Sequence, residues 1–262
     1  MTTVKDILAF IETIAPEHMK MEWDHIGLNC GHIDAPVTKI LVALDPFAET
    51  IEEAKELGAE LLVTHHALIW EGGFVNDQTV WGKNALTLIE NGIAHINAHT
   101  NLDCAPGGVN DVLAAKLGLT DTTVINPVGT NAQGLPYGLL RTGLVPEQTM
   151  DTFLATVKNA LGCEGLRYVN ATGKVHRVAV GGGACGSEIA DAYTAGCDTF
   201  VTADVKYNQF REAYDLGINI IDAGHFHTEN PICGVLAKKL QAAFPEIAVF
   251  LSKNHTDPMK FY

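Results

Sequence analysis

Apolar and polar positions along the chain alternate between two rhythms. Val4, Ile7, Leu8, Ile11 and Ala15 recur at helical spacing, with Thr3 able to cap the start and Pro16 closing it, which predicts an amphipathic helix over 4–15. Continuous apolar runs then predict a strand over 39–44, a helix over 47–57 capped by Gly58, and a second strand, Leu61-Leu62-Val63-Thr64, that stops at His65-His66. A helix near 80–90 is closed by Asn91-Gly92, and a strand over 93–98 opens into His99-Thr100-Asn101-Leu102-Asp103. Gly107-Gly108 precedes a helix at about 109–117. Residues 119–170 pattern more weakly: a glycine-interrupted strand over 134–145, a helix over 150–161 and a short strand at 166–169. From His176 the alternation resumes, with strands at 176–180, 198–202, 218–222 and 247–251 and helices at 187–195, 206–216 and 231–242. Residues 23–31, mixing Trp, Asp and Gly, read as a loop. Strands alternating with helices predict an α/β fold with a mostly parallel sheet covered on both faces.

The pattern also repeats. Ala54, Gly58, Glu60 and Val63-Thr64 match Ala192, Gly196, Asp198 and Val201-Thr202 at one constant offset, and 92–98 echoes 217–223. Two similar halves, each reading helix–glycine–strand–loop twice, are the expectation. The plainer reading is that glycine follows helices and valine fills strands in any α/β protein.

Composition narrows the function classes. The chain has 262 residues, 47% hydrophobic and 18% charged, with a net charge of −14. That size and balance suit a globular fold with a sizeable core. An acidic surface offers no footprint for nucleic acid or an anionic membrane, and no apolar run is long enough to span a bilayer. The N-terminus lacks the basic and apolar regions of a signal peptide. Six scattered cysteines without a Cys-x-x-Cys pair argue against a disulfide framework or a thiolate zinc site and for a reduced, cytoplasmic setting.

The groups able to do chemistry follow strand ends. His65-His66, His99 and Asp103 come from the first half; Asp204, His225 and Glu229 come from the second. Histidines with carboxylates make a nitrogen–oxygen donor set suited to Zn, Fe(II), Mn or Co rather than calcium. Several carboxylates can also hold two ions, about 3.5–4 Å apart, and support hydrolysis. Adjacent strand residues point to opposite faces, so His65 and His66 meet one point only if the chain turns there; otherwise each serves a different ion. His225 and Glu229 share a face if helical, whereas Pro231 would favour a first-turn position and leave Glu229 in a lead-in loop. His227 would point elsewhere in either case. His95 and His176 read as core histidines, His18, His32 and His255 as surface, and Cys104 as packing.

One motif competes. Gly181-Gly182-Gly183-Ala184-Cys185-Gly186 fits G-x-G-x-x-G after a strand and before a helix, and Asp204 lies 18 residues beyond Gly186. That is the form of an NAD(P)-binding turn with a ribose-binding acid, and it would make the chain an oxidoreductase. The same glycines equally suit close backbone approach or a phosphate cradle beside metal ions.

Several segments together resemble one family, the dinuclear-metal-centre hexameric proteins known as GTP cyclohydrolase 1 type 2 homologues. They are Trp23-Asp24-His25-Ile26-Gly27-Leu28, Thr64-His65-His66, His99–Asp103 with Gly107-Gly108-Val109-Asn110-Asp111, Asp222-Ala223-Gly224-His225…Thr228-Glu229, and Asp257-Pro258-Met259-Lys260-Phe261. The resemblance implies two similar, intertwined three-layer α/β/α halves with mixed, mostly parallel sheets. The halves are assigned to 1–130, carrying His65, His66 and Asp103, and 131–262, carrying His225 and Glu229. It further implies a ring-shaped homohexamer and two divalent metal ions per chain (Zn, Fe or Mn). In that scheme His66 and Asp103 hold one ion, His65 and His225 the other, and Glu229 bridges them. A hydroxide between the ions would attack C8 of GTP or a related small molecule. The rival class is a non-catalytic metal-binding ring acting as buffer, chaperone or scaffold. Relatives usually carry Thr-Gly-Asp-Val-Lys-Tyr-His where this chain has Thr202-Ala203-Asp204-Val205-Lys206-Tyr207-Asn208, and Asn where it has His25. The absent histidine removes a candidate proton shuttle, and Lys206 and Arg211 are the only evident cations for a triphosphate.

Overall fold

The computed structural model describes residues 1–70 and 72–262. It divides the chain into two units, Met1–Leu102 with Ile232–Thr256, and Asp103–Pro231 with Asp257–Tyr262.

The first unit holds α1 (Val4–Ile14), β1 (Gly27–Cys30), β2 (Lys39–Ala43), α2 (Ala48–Leu57), β3 (Leu61–Thr64), α3 (Val80–Glu90), β4 (Ala94–Asn97) and the start of α4 (Thr100–Cys104). Most of α10 (Pro231–Ala243) and β13 (Ala248–Leu251) return to it from the far end of the chain. Its sheet runs β1-β4-β3-β2-β13, parallel throughout except for β1 against β4. Strands β3 and β4 are buried along their whole length, as strands of a parallel sheet with both faces covered must be. On one face Leu41 and Leu62 pack with Ile51 and Ala54 of α2 and Ala85 and Leu88 of α3. Gly58 closes α2 in the left-handed conformation at φ +63°, so that the Ala59 amide can donate back to Ala54.

The second unit holds α5 (Val109–Lys116), β5 (Thr120–Ile125), a small hairpin of β6 (Gly129–Thr130) and β7 (Pro136–Tyr137), β8 (Leu140–Thr149), α6 (Met150–Leu161), β9 (Arg167–Val169) and β10 (Lys174–Val180). It continues through α7 (Ile189–Thr194), β11 (Thr199–Thr202), α8 (Tyr207–Leu216), β12 (Asn219–Asp222) and α9 (His225–Glu229). The sheet order is β5-β8-β10-β11-β12-β9, with β10, β11 and β12 parallel and the three other pairings antiparallel. Alternate residues face opposite layers. Val178, Val180, Val201 and Ile221 pack on Leu113 of α5 and Phe153 and Val157 of α6. Ala179, Phe200 and Ile220 pack on Ile189 and Ala192 of α7 and Ala213 of α8. This unit is a three-layer α/β/α sandwich.

The internal echo is topological. In each unit three parallel strands lie in chain order, β2-β3-β4 and β10-β11-β12, and an antiparallel strand that precedes them in sequence, β1 or β9, pairs with the third. Registers match too: Ile40 faces Leu61 as Val178 faces Thr199. Glu60 accepts the amides of Thr38 (3.0 Å) and Lys39 (2.8 Å), and Asp198 accepts those of His176 (3.0 Å) and Arg177 (2.8 Å). Glycine and valine bias alone would not place an acid in the same backbone role twice.

The division into 1–130 and 131–262 is corrected. β13 pairs in parallel with β2, which returns residues 232–256 to the first unit, and Asp103 belongs to the second. The sheets are mixed as expected, but antiparallel pairings outnumber parallel ones in the second. Two short elements lay in stretches read as loops: β1, a four-residue edge strand, and α4. β5 is mostly exposed and polar, Thr120-Asp121-Thr122-Thr123, and so lacked an apolar rhythm.

His95 behaves as the core histidine expected. Its Nε2 meets the Thr64 hydroxyl at 2.7 Å, and complete burial pushes its pKa down to about 3. The folded value is depressed, so its stabilising effect is complete above the unfolded value near 6.5 and is lost as pH falls toward 3. By pH 5 the loss from this group amounts to about 2 kcal/mol. Urea titrations at pH 7 and pH 5 should show that decrement in the wild type and lack it in His95→Asn.

Candidate metal centre

In the first unit the chain turns where β3 ends. The Thr64 hydroxyl donates to the carbonyl of His66 at 2.5 Å, and the His66 amide donates to Leu44 O at 2.9 Å. The turn lets two consecutive imidazoles lie side by side, centroids 4.9 Å apart, which a regular strand forbids. His99, just past β4, joins them: one nitrogen from each of the three rings lies within 4.8 Å of the others.

Each ring is held through Nδ1. His65 Nδ1 lies 2.8 Å from Ala98 O, His66 Nδ1 2.6 Å from Asp45 Oδ1, and His99 Nδ1 3.0 Å from Asp24 Oδ2. Carbonyl and carboxylate oxygens only accept, so Nδ1 carries the proton and a neutral ring keeps its lone pair on Nε2. This is the support that metal-ligating histidines receive from their surroundings.

Asp24 explains the Trp-Asp pair in the sequence. Burial would raise its pKa, but hydrogen bonds from His99 and Thr100 outweigh burial and hold the carboxylate well below the usual range. Burial likewise opposes the charge on Asp45, and the hydrogen bonds of His255 and His66 overcome it. His255 is therefore not a surface residue. It is buried with Nε2 2.9 Å from Asp45 Oδ2, because Glu53 anchors the segment before it through Ser252 Oγ (2.5 Å) and the amides of Lys253 (3.0 Å) and Asn254 (3.2 Å). His18 and His32 are exposed as expected, and so is His176, which was read as core.

In the second unit α9 settles the Glu229 question. His225 and Glu229 sit four apart on one helical face, with Nε2 2.9 Å from Oε2. His225 Nδ1 lies 2.7 Å from Asp204 Oδ2, and Asp204 takes φ +50°, a left-handed backbone that Asp tolerates better than most residues. Carboxylate oxygens therefore lie beside both nitrogens of this imidazole. Asp103 offers a carboxylate oxygen within 4.8 Å of one from Glu229. Its backbone is held by Asn110, which donates to Asp103 O at 3.3 Å, and the buried Arg141 grips the carbonyls of Cys104 and Ala105 and the carboxylate of Asp111. His227 does point elsewhere, toward Leu161 O and Asp257.

The glycine loop serves this cluster. A Cβ on Gly183 would lie 2.1 Å from Glu229 Oε1 and 3.0 Å from His225 Nε2, and Gly183 has φ +64°. The Gly182 amide donates to Asn110 Oδ1 (2.7 Å) and the Gly183 amide to Thr228 Oγ1 (3.0 Å). Amides that a pyrophosphate would need are bound to side chains, and the acid expected on a ribose, Asp204, supports His225. The dinucleotide reading is therefore withdrawn in favour of close backbone approach. Arg211 is paired through both ends of its guanidinium with Asp215, and Lys206 lies exposed just before α8.

The sequence reading omitted His99 from the ligand set and gave Asp24 and Asp45 no role. The signal for His99 was present in its spacing: His99-x-x-x-Asp103 repeats His225-x-x-x-Glu229 after equivalent strands. In the first unit His65, His66 and His99 form one cluster of nitrogen donors; in the second Glu229 lies beside His225 and has a carboxylate oxygen near one of Asp103, and such nitrogen and oxygen donors could hold a borderline transition-metal ion.

This is a mixed α/β chain built from repeated half-folds, with histidines and carboxylates at strand ends that could hold a metal ion. The chain belongs to the Duf34/NIF3 (NGG1p interacting factor 3) family, whose model matches residues 2–258. A Clostridium perfringens protein named GTP cyclohydrolase 1 type 2 homolog is 34% identical over 98% of this chain and 99% of its own length. A Streptomyces coelicolor protein of the same name is 34% identical over 98% and 94%. Among solved structures, the Bacillus cereus protein related to NIF3 superposes with TM-score 0.94 at 27% identity, covering 100% of this chain and 99% of the other. Reduced HcgD from Methanocaldococcus jannaschii gives 0.78 at 28%, covering 96% and 98%.

Gly183→Ala should lower stability by about 2 kcal/mol more than Gly118→Ala, since both positions have positive φ but only Gly183 faces a clash. Thermal melts of the two variants make the comparison. Asp45→Asn should weaken binding of Zn(II) or Co(II) by about 10–100-fold while leaving the melting temperature of metal-free protein within a few degrees, as calorimetric titration would show.

Proposed function

We propose that this chain binds two divalent transition-metal ions through His65, His66, Asp103, His225 and Glu229 and uses them for hydrolytic chemistry on a small molecule. The observation that carries the reading is the treatment of the histidines: His65, His66 and His225 each have Nδ1 committed to an oxygen acceptor, which turns Nε2 toward the ligand role. The carboxylates supply the negative charge that offsets two cations. His99 is a further donor beside the first pair. A pair of bound divalent ions supplies Lewis acidity and an activated water. The protein's own part is to fix imidazole tautomers through Asp45 and Asp204, to hold Glu229 against the glycine loop, and to seat Asp103 through Asn110.

The name shared by the relatives points to opening of the GTP imidazole ring with release of formate, and GTP is the first substrate to try. With Arg211 paired to Asp215, the triphosphate end has Lys206 as its evident cation, so a less highly charged relative of GTP fits this acidic chain better. A homohexameric ring follows from the family resemblance; light scattering would give six times the chain mass of 28.1 kDa.

Metal content decides the reading. Protein purified without chelator should carry two equivalents of Zn, Fe or Mn per chain by mass spectrometry. His65→Ala should lose mainly one equivalent and Glu229→Ala should bind both more weakly. Fewer than one equivalent after reloading would remove the proposal. Two equivalents with no formate from GTP, and no turnover across phosphoester, amide and cyclic amidine substrates, would leave a metal-binding protein without hydrolysis.

A further inference from the structure

The first unit carries an aromatic cluster whose indoles metal binding leaves unexplained. His65, His66 and His99 touch ring to ring, with centroids 4.9, 5.1 and 5.6 Å apart. Two indoles extend the cluster outward. Trp70 meets His99 edge-on at 4.8 Å and lies 6.1 Å from His66, and Trp23 meets His99 at 5.9 Å with planes 67° apart.

Both indoles are exposed, Trp23 by 64% and Trp70 by 49%. Keeping two of the largest apolar side chains in water beside a buried polar cluster forgoes burial that the fold could otherwise have gained. Placement is the second point. Trp23 directly precedes Asp24, which is buried and orients His99, so the backbone that fixes the imidazole also fixes the indole. Trp70 sits four residues beyond His66. Within this unit Asp24 and Asp45 lie behind the imidazoles and are bonded to them. What the cluster presents is π surface together with ring nitrogens.

We infer that Trp23 and Trp70 form a stacking subsite for a planar nitrogen heteroaromatic ring, which they hold at the edge of the His65-His66-His99 cluster. A heteroaromatic ring matches both features, since its faces stack on indole and its edge exchanges hydrogen bonds with polar neighbours. Aliphatic or sugar-phosphate ligands match neither. As a statement about substrate class the inference rests on the hydrolytic reading; as a statement about binding it does not need metal.

The test is therefore run on chelator-treated, metal-free protein. Indole fluorescence is followed during titration with adenosine and with guanosine as soluble planar probes, and with ribose 5-phosphate as the non-aromatic control. At least one nucleoside should quench saturably, ribose 5-phosphate should not, and replacing the third tryptophan, Trp81 of α3, by Trp81→Phe should leave the curve in place. Trp23→Leu and Trp70→Leu, both at exposed positions, should each weaken binding at least tenfold with unchanged circular dichroism. Absence of saturable quenching by both nucleosides, or quenching indifferent to both leucine variants, overturns the inference. So does a change in oligomeric state in those variants without any nucleoside effect, which would mean that a second copy covers the indoles. Because metal is absent throughout, a failed metal count and a failed stacking test remain separate results.

Discussion

An imidazole has two nitrogens, and fixing one decides what the other can do. The arrangement around the candidate centre follows from that constraint. Ala98 O, Asp45, Asp24 and Asp204 each take the Nδ1 proton of one histidine. Buried acids such as Asp24 are expensive to keep ionised, and their hydrogen bonds outweigh the burial. The fold accepts that cost at two acids of the first unit, and at each the partner is a histidine of the cluster.

Parallel strands make this economical. Successive parallel strands end on one side, so the segments after them present side chains at one edge of the sheet, where open α/β sheets place their ligands. In the first unit the segments after β2, β3 and β4 supply Asp45, His65-His66 and His99. In the second, the segments after β10, β11 and β12 supply the glycine loop, Asp204, and His225 with Glu229.

Much of this was legible in the chain because burial imposes period. The amphipathic helix over 4–15, the fully apolar strands and the glycine-capped helices declare themselves through spacing, and the repeated Glu60 and Asp198 marked the duplication. Where burial is partial the text goes quiet. The polar edge strand β5 has no apolar rhythm, and β1 is half-exposed along all four residues. The unit boundaries depend on which sheet β13 joins, a long-range pairing that local pattern does not encode. His255 misled for the same reason: it follows an exposed strand, and only Glu53, some 200 residues earlier, draws it inward. His65, His66, Asp103, His225 and Glu229 stood out by residue type and by their place after strands, whereas Asp24 and Asp45 act through a contact that only the fold creates.

The repeat also shows how the two clusters differ. By the shared register that makes Ile40 equivalent to Val178, Asp45 is the counterpart of Gly183 and His66 the counterpart of Asp204. In the first unit the earlier position holds an acid and the later one the histidine it supports. In the second unit the earlier position has no side chain, and the later one holds an acid that supports a histidine on the next segment, His225. Glycine at 183 follows from that exchange. With His225 on α9 and Glu229 beside it, a side chain at 183 would occupy the space the glutamate fills, as the 2.1 Å approach of a Cβ there shows. The G-x-G-x-x-G pattern is thus the imprint of a carboxylate packed against the loop, and its resemblance to a nucleotide-binding turn reflects a common need for backbone to approach an acid group closely.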